Sequence, residues 1–244
     1  MYKDFAIDLA KKAGEIMQAN FCLGMEKEWK ADETPVTITD KKVNQLVIDA
    51  VAKNFPGHGV IGEEQSLHKT SEFQWVCDPV DGTLPFSHGV PTFVFMLALV
   101  QDGTSILGVI YDPLQKRLCF AQKGGGATMN DKPIHVSKKS SLSERCIISV
   151  DTDPARKELI EKGVWTPRLY SIGYECMLVA CGEYDGAIFP YHNPWDGAAI
   201  KILVEEAGGK VTDLAGRQQR YDQKINGFIA SNRLLHKTLV DLLT

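Results

Sequence analysis

The stretch Phe73-Gln-Trp-Val-Cys-Asp-Pro-Val-Asp-Gly-Thr83 constrains this chain more than any other. An apolar run with strand character ends on Asp78, Pro79 withdraws a backbone donor, and Asp81 follows close behind. Two carboxylates held that near each other at the end of a strand repel unless a cation lies between them. Carboxylate oxygens, with backbone carbonyls and water, suit Mg²⁺ rather than Zn²⁺. Gly82-Thr83 offers free N–H groups where a helix could begin, a fitting place for a phosphate oxygen. On their own, Asp-Pro and Asp-Gly are also ordinary turn dipeptides, and both readings stand at this point.

Other acids recur in similar settings. Ile61-Gly62-Glu63-Glu64 closes an earlier strand-like run, where the glutamates could equally be part of a solvated loop. Pro194-Trp195-Asp196-Gly197 opens a long helical pattern, where Asp196 could serve simply as an N-cap. Gly57–Gly62 has the glycine spacing of a P-loop, but Glu63 and Glu64 stand where Lys and Ser/Thr are needed. The histidines show no H-x-H or H-E-x-x-H spacing, so zinc is not supported.

The chain is large enough to bury such a cluster. Its 244 residues can bury about 70% of the open chain's surface, so no disulfide or metal is needed merely to hold it together. A net charge of −4 argues against a general nucleic-acid or anionic-membrane binder. Cys22, Cys77, Cys119, Cys146, Cys176 and Cys181 form no C-x-x-C pair and read as buried or free thiols in a reducing compartment. No basic-then-apolar leader opens the sequence, and the longest apolar run, Val90 to Val100, is too short to span a bilayer. A soluble, cytoplasmic protein without membrane or nucleic-acid partners is expected.

Periodicity predicts helices over Asp4–Phe21 and Thr39–Asn54, then strands at Val60-Ile61 and Trp75–Cys77. Phe93–Val100, Ile106–Tyr111 and Arg117–Ala121 read as an antiparallel meander. After about Ser140 strands and helices alternate: strand Cys146–Val150, helix Pro154–Lys162, strand Arg168–Ser171 and helix Tyr174–Cys181. Strand Gly186–Phe189, helix Trp195–Ala207, strands Lys210–Asp213 and Gly227–Ala230, and helix Leu234–Leu243 follow. Two parts are expected, residues 1–140 with most of the acidic cluster and 141–244 with Asp196.

In order and spacing, these segments resemble the inositol monophosphatase superfamily of Mg²⁺-dependent, often lithium-sensitive phosphatases. The resemblance rests on Thr34–Asp40, Ile61–Glu64, Asp78–Thr83, Leu107–Pro113, Lys123–Ala127 and Trp195–Gly209, and so covers nearly the whole chain. It implies a layered α-β-α-β-α sandwich of the inositol monophosphatase and fructose-1,6-bisphosphatase type, a homodimer, and two or three Mg²⁺ per site. Glu63, Asp78 and the carbonyl of Val80 would hold one ion, and Asp78, Asp81 and Asp196 a second. Thr83 and Glu63 would orient the attacking water, Asp40 would hydrogen-bond Thr83, and the N–H groups of Gly82 and Thr83 would take the phosphate.

The alcohol-binding half departs from the family pattern. Leu84-Pro85-Phe86 replaces the usual Asn-Phe after the threonine, and Phe189 stands where inositol phosphatases place a glutamate for substrate hydroxyls. Tyr174, Glu175, Phe189, Tyr191 and His192 are therefore the candidate substrate-side residues. They favour a leaving group with apolar, aromatic or cationic character over inositol. The expected activity is hydrolysis of a small phosphorylated alcohol or sugar. Inositol monophosphate is the default substrate, and histidinol phosphate, fructose 1,6-bisphosphate and 3′-phosphoadenosine nucleotides are alternatives. A role as a regulatory RNA- or protein-binding partner is the alternative of another kind.

Overall fold

A computed structural model describes residues 1–31 and 33–243. Helices α1 (Tyr2–Asn20) and α2 (Ile38–Asn54) bracket a minimal ribbon of β1 (Glu28–Trp29) and β2 (Pro35–Val36). The first sheet contains β3 (Gly59–Gly62), β4 (Phe73–Asp81) and, beyond the short helix α3 (Thr83–Ser87), β5 (Val94–Gln101). It continues through β6 (Thr104–Asp112), β7 (Arg117–Gln122), β8 (Ala127–Met129) and β9 (Lys132–Pro133), in spatial order β3 to β9. Only β3 and β4 pair in parallel; the rest is a meander.

The second sheet has the order β10-β11-β13-β12, built from β10 (Ile148–Val150), β11 (Gly186–Phe189), β12 (Gly209–Thr212) and β13 (Phe228–Asn232). Its helices are α4 (Asp153–Glu161), α5 (Ile172–Ala180), α6 (Pro194–Glu206) and α7 (His236–Asp241). Among the described residues no helix is long and apolar enough to cross a membrane.

Period-two alternation along the strands creates the layers. Trp75, Cys77, Phe95, Leu97, Leu99 and Val109 bury one face of the first sheet with Leu9, Ala13, Val43 and Val47 of α1 and α2. Val76, Met96, Ala98, Ile110 and Ala121 bury the other face with α5 and α6, which also cover Ala187, Val211 and Phe228 of the second sheet. The outer face of that sheet, with Ile148, Val150, Ile188 and Ile229, packs on Ala155, Leu159 and Leu239 of α4 and α7. The result is the α-β-α-β-α order that the resemblance implied.

One expected element is absent. Residues 168–171 form no strand, because Tyr170 takes a left-handed φ of 58° and Ser171 is already the N-cap of α5. Such backbone cannot lie in a ladder.

Helix α6 sits close to the first sheet because small residues line up beneath it. Ala98, Gly108 and Ala121 are paired neighbours across β5, β6 and β7. A Cβ on Gly108 would lie 2.5 Å from Ile202 Cγ2 and 3.0 Å from the carbonyl oxygen of Ala199. Gly108→Ala should therefore destabilise the fold by about 1–3 kcal/mol, as overpacking does. Because α6 carries Asp196, turnover should fall with the melting temperature; an unchanged Tm and kcat would show that α6 does not depend on this contact.

Candidate active site

The site forms where the ends of β3 and β4 meet the first turns of α2, α3, α5 and α6. Parallel pairing sets Gly62 of β3 beside Cys77 of β4, and the Glu63 N–H continues the ladder to the Cys77 carbonyl at 3.2 Å, bringing Glu63 alongside Asp78. In a regular strand Asp78 and Asp81 would point to opposite faces. Here Asp78 pairs with Met96 and Asp81 with Val94, so β4 spends one residue more than β5 between the two pairs. The extra residue is a β-bulge beside Pro79, which cannot donate to the ladder, and it turns both carboxylates to the same side. Gly82 follows with φ 88°, and a Cβ there would lie 2.8 Å from the Thr92 carbonyl oxygen. Glycine alone makes this turn without strain, and it starts α3 at Thr83.

The helices supply the rest. Asp40 lies three residues after the N-cap Thr37 of α2, and its Oδ2 accepts from the Thr37 N–H at 2.8 Å and hydroxyl at 2.6 Å. Its Oδ1 accepts from the Thr83 hydroxyl at 3.0 Å, while the Val80 carbonyl lies 2.9 Å from that same hydroxyl. Asp196 is not an N-cap: Asn193 holds that position, and Asp196 Oδ2 accepts from the Asn193 N–H at 3.0 Å. Asp81 faces the start of α5, accepting from the Ser171 hydroxyl, from the Gly173 N–H at 2.8 Å and from the Ile172 N–H at 3.2 Å.

Burial gives these acids unusual proton affinity. It lifts Glu63 to about 7 against the pull of Lys30, and Asp81 to about 6 against the Ser171 hydroxyl and the N–H groups of α5. Asp196 rises to about 8 through burial, opposed by the Asn193 N–H and reinforced by Glu63 and Asp81. Asp78 is pushed well above the carboxylate range by burial, then by Glu63, Asp81 and Asp196.

The cation in contact with the cluster is the Lys30 ammonium, 2.9 Å from Glu63 and 2.5 Å from Glu64. Burial draws its pKa down, but the two glutamates outweigh this and leave it raised. Among the described residues no three His, Cys, Asp or Glu side chains form a ready-made metal cage. The donor set is nonetheless all oxygen and mutually repelling, and it surrounds the Asp78–Thr83 turn. These properties fit a hard, oxygen-seeking divalent cation.

The sequence profile of the inositol monophosphatase family matches residues 2–244. The chain belongs to the inositol monophosphatase family. It is 34% identical over 246 residues to the histidinol-phosphatase of Chlorobaculum parvum, covering 96% of this chain and 93% of that protein. The fructose-1,6-bisphosphatase/inositol-1-monophosphatase of Thermotoga maritima is 35% identical over 243 residues, covering 97% and 93%. The solved structure of the extragenic suppressor protein from Bartonella henselae matches with a TM-score of 0.92 at 26% identity, covering 100% of this chain and 98% of that one. As an inositol monophosphatase family member, the protein is a phosphoric monoester hydrolase.

In this family member the cleft over the acids has a volume of about 530 Å³. Glu63, Asp78, Val80, Asp81, Gly82, Thr83 and Asp196 line it, and Asp40 stands behind Thr83. Of the substrate-side candidates, Glu175, Phe189 and Tyr191 also line the cleft. Tyr174 and His192 do not. The Tyr174 hydroxyl accepts from Gln115 Nε2 at 2.9 Å and its ring lies under Arg117, because consecutive residues of α5 point to different sides. His192 is exposed, with its Nδ1 3.3 Å from the Ile225 carbonyl oxygen.

Sequence reasoning overlooked Lys30, Arg168 and Tyr170. No motif marks Lys30 among the charges of its loop, whereas a strand reading of 168–171 hid the other two.

Raised carboxyl pKa values mean that the folded protein holds protons which the unfolded chain has released. Without divalent metal, stability should therefore fall as pH rises from the ordinary carboxylate value of 3.8 upward, Asp81 contributing to the fall up to about pH 6 and Asp196 up to about pH 8. The slope is about 1.4 kcal/mol per pH unit for each proton retained. Added Mg²⁺ should stabilise most at the alkaline end. Thermal melts at pH 6 and pH 8, with EDTA or with Mg²⁺, measure this. Metal-free stability that rises between these two pH values would contradict the buried, uncompensated cluster.

Proposed function

We propose that this protein is a Mg²⁺-dependent phosphomonoesterase that hydrolyses a small phosphorylated alcohol by direct attack of water. The observation that carries this reading is the Thr83 hydroxyl held on the buried Asp40 carboxylate, at the edge of the acidic cluster. Glu63, Asp78 and the Val80 carbonyl would hold one Mg²⁺, and Asp78, Asp81 and Asp196 another, with two or three ions per site. When bound, the ions would supply Lewis-acid activation of water and neutralise phosphoryl charge.

The residues themselves position the reactants. Thr83 has one hydroxyl proton and two acceptors in reach, Asp40 and the Val80 carbonyl, so that proton is committed inward. Its oxygen lone pairs are then left to accept from a water, which the Glu63 carboxylate can orient from the other side. The N–H groups of Gly82 and Thr83 precede the first intrahelical bond of α3, so they are available to phosphate oxygens. No nucleophilic side chain is required. On this reading the enzyme is a lithium-sensitive, cytoplasmic homodimer, as its family resemblance implies.

Thr83→Ala and Glu63→Gln should each lower kcat by on the order of 10²-fold or more at saturating Mg²⁺, with the fold intact by circular dichroism. Hydrolysis in ¹⁸O-water should place one label in the released phosphate. A trapped phosphoenzyme, or either variant turning over at the wild-type rate, would contradict the proposal.

A further inference from the structure

The inner half of the cleft accounts for the phosphate; the outer half is built differently. Its mouth carries Tyr170, Tyr191 and Trp195, from the loop before α5, the segment after β11 and the first turn of α6. Tyr170 and Tyr191 are 62% and 41% exposed, a large aromatic surface to leave in water beside a binding cleft.

Both tyrosines are held in place. Tyr170 has φ 58°, a conformation that bulky side chains rarely adopt. Its neighbours are clamped: the Leu169 N–H donates to Glu175, and the Leu169 carbonyl accepts from the Thr92 hydroxyl at 3.0 Å. On the other side the Ser171 hydroxyl donates to Asp81. Strain that persists at a cleft because its surroundings impose it points to function. The Tyr191 hydroxyl donates to Asp151 Oδ2 at 2.6 Å, and Arg168 holds the other oxygen of Asp151 at 2.6 Å. The Tyr191 ring lies 6.1 Å from Phe189, also at the cleft, and Phe189 is backed at 5.5 Å by the buried Phe228.

Four polar groups that line the outer cleft, Asp151, Arg168, Tyr191 and Glu175, are already engaged. Asp151 is shared by Arg168 and Tyr191, and Glu175 accepts from the Leu169 N–H and, at 2.7 Å, from the Ser149 hydroxyl. A polyol placed against this group would meet rings and already engaged polar atoms, and unmade buried hydrogen bonds are costly. A flat ring would find faces to stack on.

We propose that the outer cleft is a stacking subsite and that the preferred substrate is a phosphate ester whose alcohol carries a planar aromatic heterocycle, read by Tyr170 and Tyr191. This rests on the phosphomonoesterase reading above and narrows it. The shared chemistry is a nitrogen heterocycle, which an imidazole or a purine could supply.

The test measures kcat/KM of the Mg²⁺-loaded enzyme on four probes: histidinol phosphate, adenosine 2′-monophosphate, glycerol 2-phosphate and inositol 1-phosphate. At least one heterocyclic ester should exceed both aliphatic esters by about tenfold or more, and the better of the two identifies imidazole or purine. Tyr170→Phe should keep that preference, whereas Tyr170→Ala should reduce it towards parity. Tyr170→Gly removes the ring while relieving the backbone, so it guards against simple misfolding and should also lose the preference.

Equal or better hydrolysis of glycerol 2-phosphate or inositol 1-phosphate by the wild type would overturn the subsite while leaving the phosphatase reading intact. So would a heterocycle preference that survives in Tyr170→Gly, or a uniform loss on all four esters in both ring-deleted variants. Failure to hydrolyse the four and fructose 1,6-bisphosphate as well would overturn the phosphatase reading itself, whereas hydrolysis of that bisphosphate alone would overturn only the subsite.

Discussion

The mutual repulsion of buried carboxylates is the constraint around which the rest of this structure is arranged. Glu63, Asp78, Asp81 and Asp196 come from three different elements, yet each is held where burial opposes its charge. A fold tolerates such a cluster only if the surrounding layers fix it. Here the β3–β4 ladder fixes Glu63, a bulge fixes Asp78 and Asp81, and the capped start of α6 fixes Asp196. Lys30 offsets one edge of the cluster from a loop rather than from the layered core.

Each hydrogen bond that builds a local element also aims a functional group. The Thr37–Asp40 contacts start α2 and leave one Asp40 oxygen for Thr83. The Ser171 hydroxyl lies within hydrogen-bond reach of the Tyr174 N–H of α5 as well as of Asp81. Helix α6 rests on Ala98, Gly108 and Ala121, so packing in the middle of the molecule sets the depth of Asp196 at its edge. Local structure, packing and site geometry are thus coupled through a few residues.

Much of this was legible in the sequence. Apolar runs named β3 to β7 of the first sheet, though not the short β8 and β9, and Asp78, Asp81, Glu63 and Asp196 stood out as acids at element ends. The bulge was written there too, because a proline inside a strand is confined to edges and bulges, but its consequence needed the register of β5. Tyr174 was misplaced because a one-residue step along a helix turns the side chain by about 100°, which leaves Glu175 at the cleft and Tyr174 under Arg117. Tyr170 was hidden for another reason. The apolar and β-branched character around it reads as strand, and only tertiary clamps through Glu175 and Asp81 force the left-handed turn.

The central claim is that the cluster is an energetic burden to the metal-free fold and is kept for catalysis. Asp78 tests it most cleanly. Asp81 accepts three hydrogen bonds that an amide would disturb, whereas Asp78 shows one, from the Val80 N–H at 3.1 Å. The decisive measurement pairs the Tm of Asp78→Asn in EDTA with its kcat in saturating Mg²⁺. The account predicts a Tm equal to or above that of the wild type, with turnover abolished. A Tm well below wild type in EDTA, or near wild-type turnover in Mg²⁺, would contradict it.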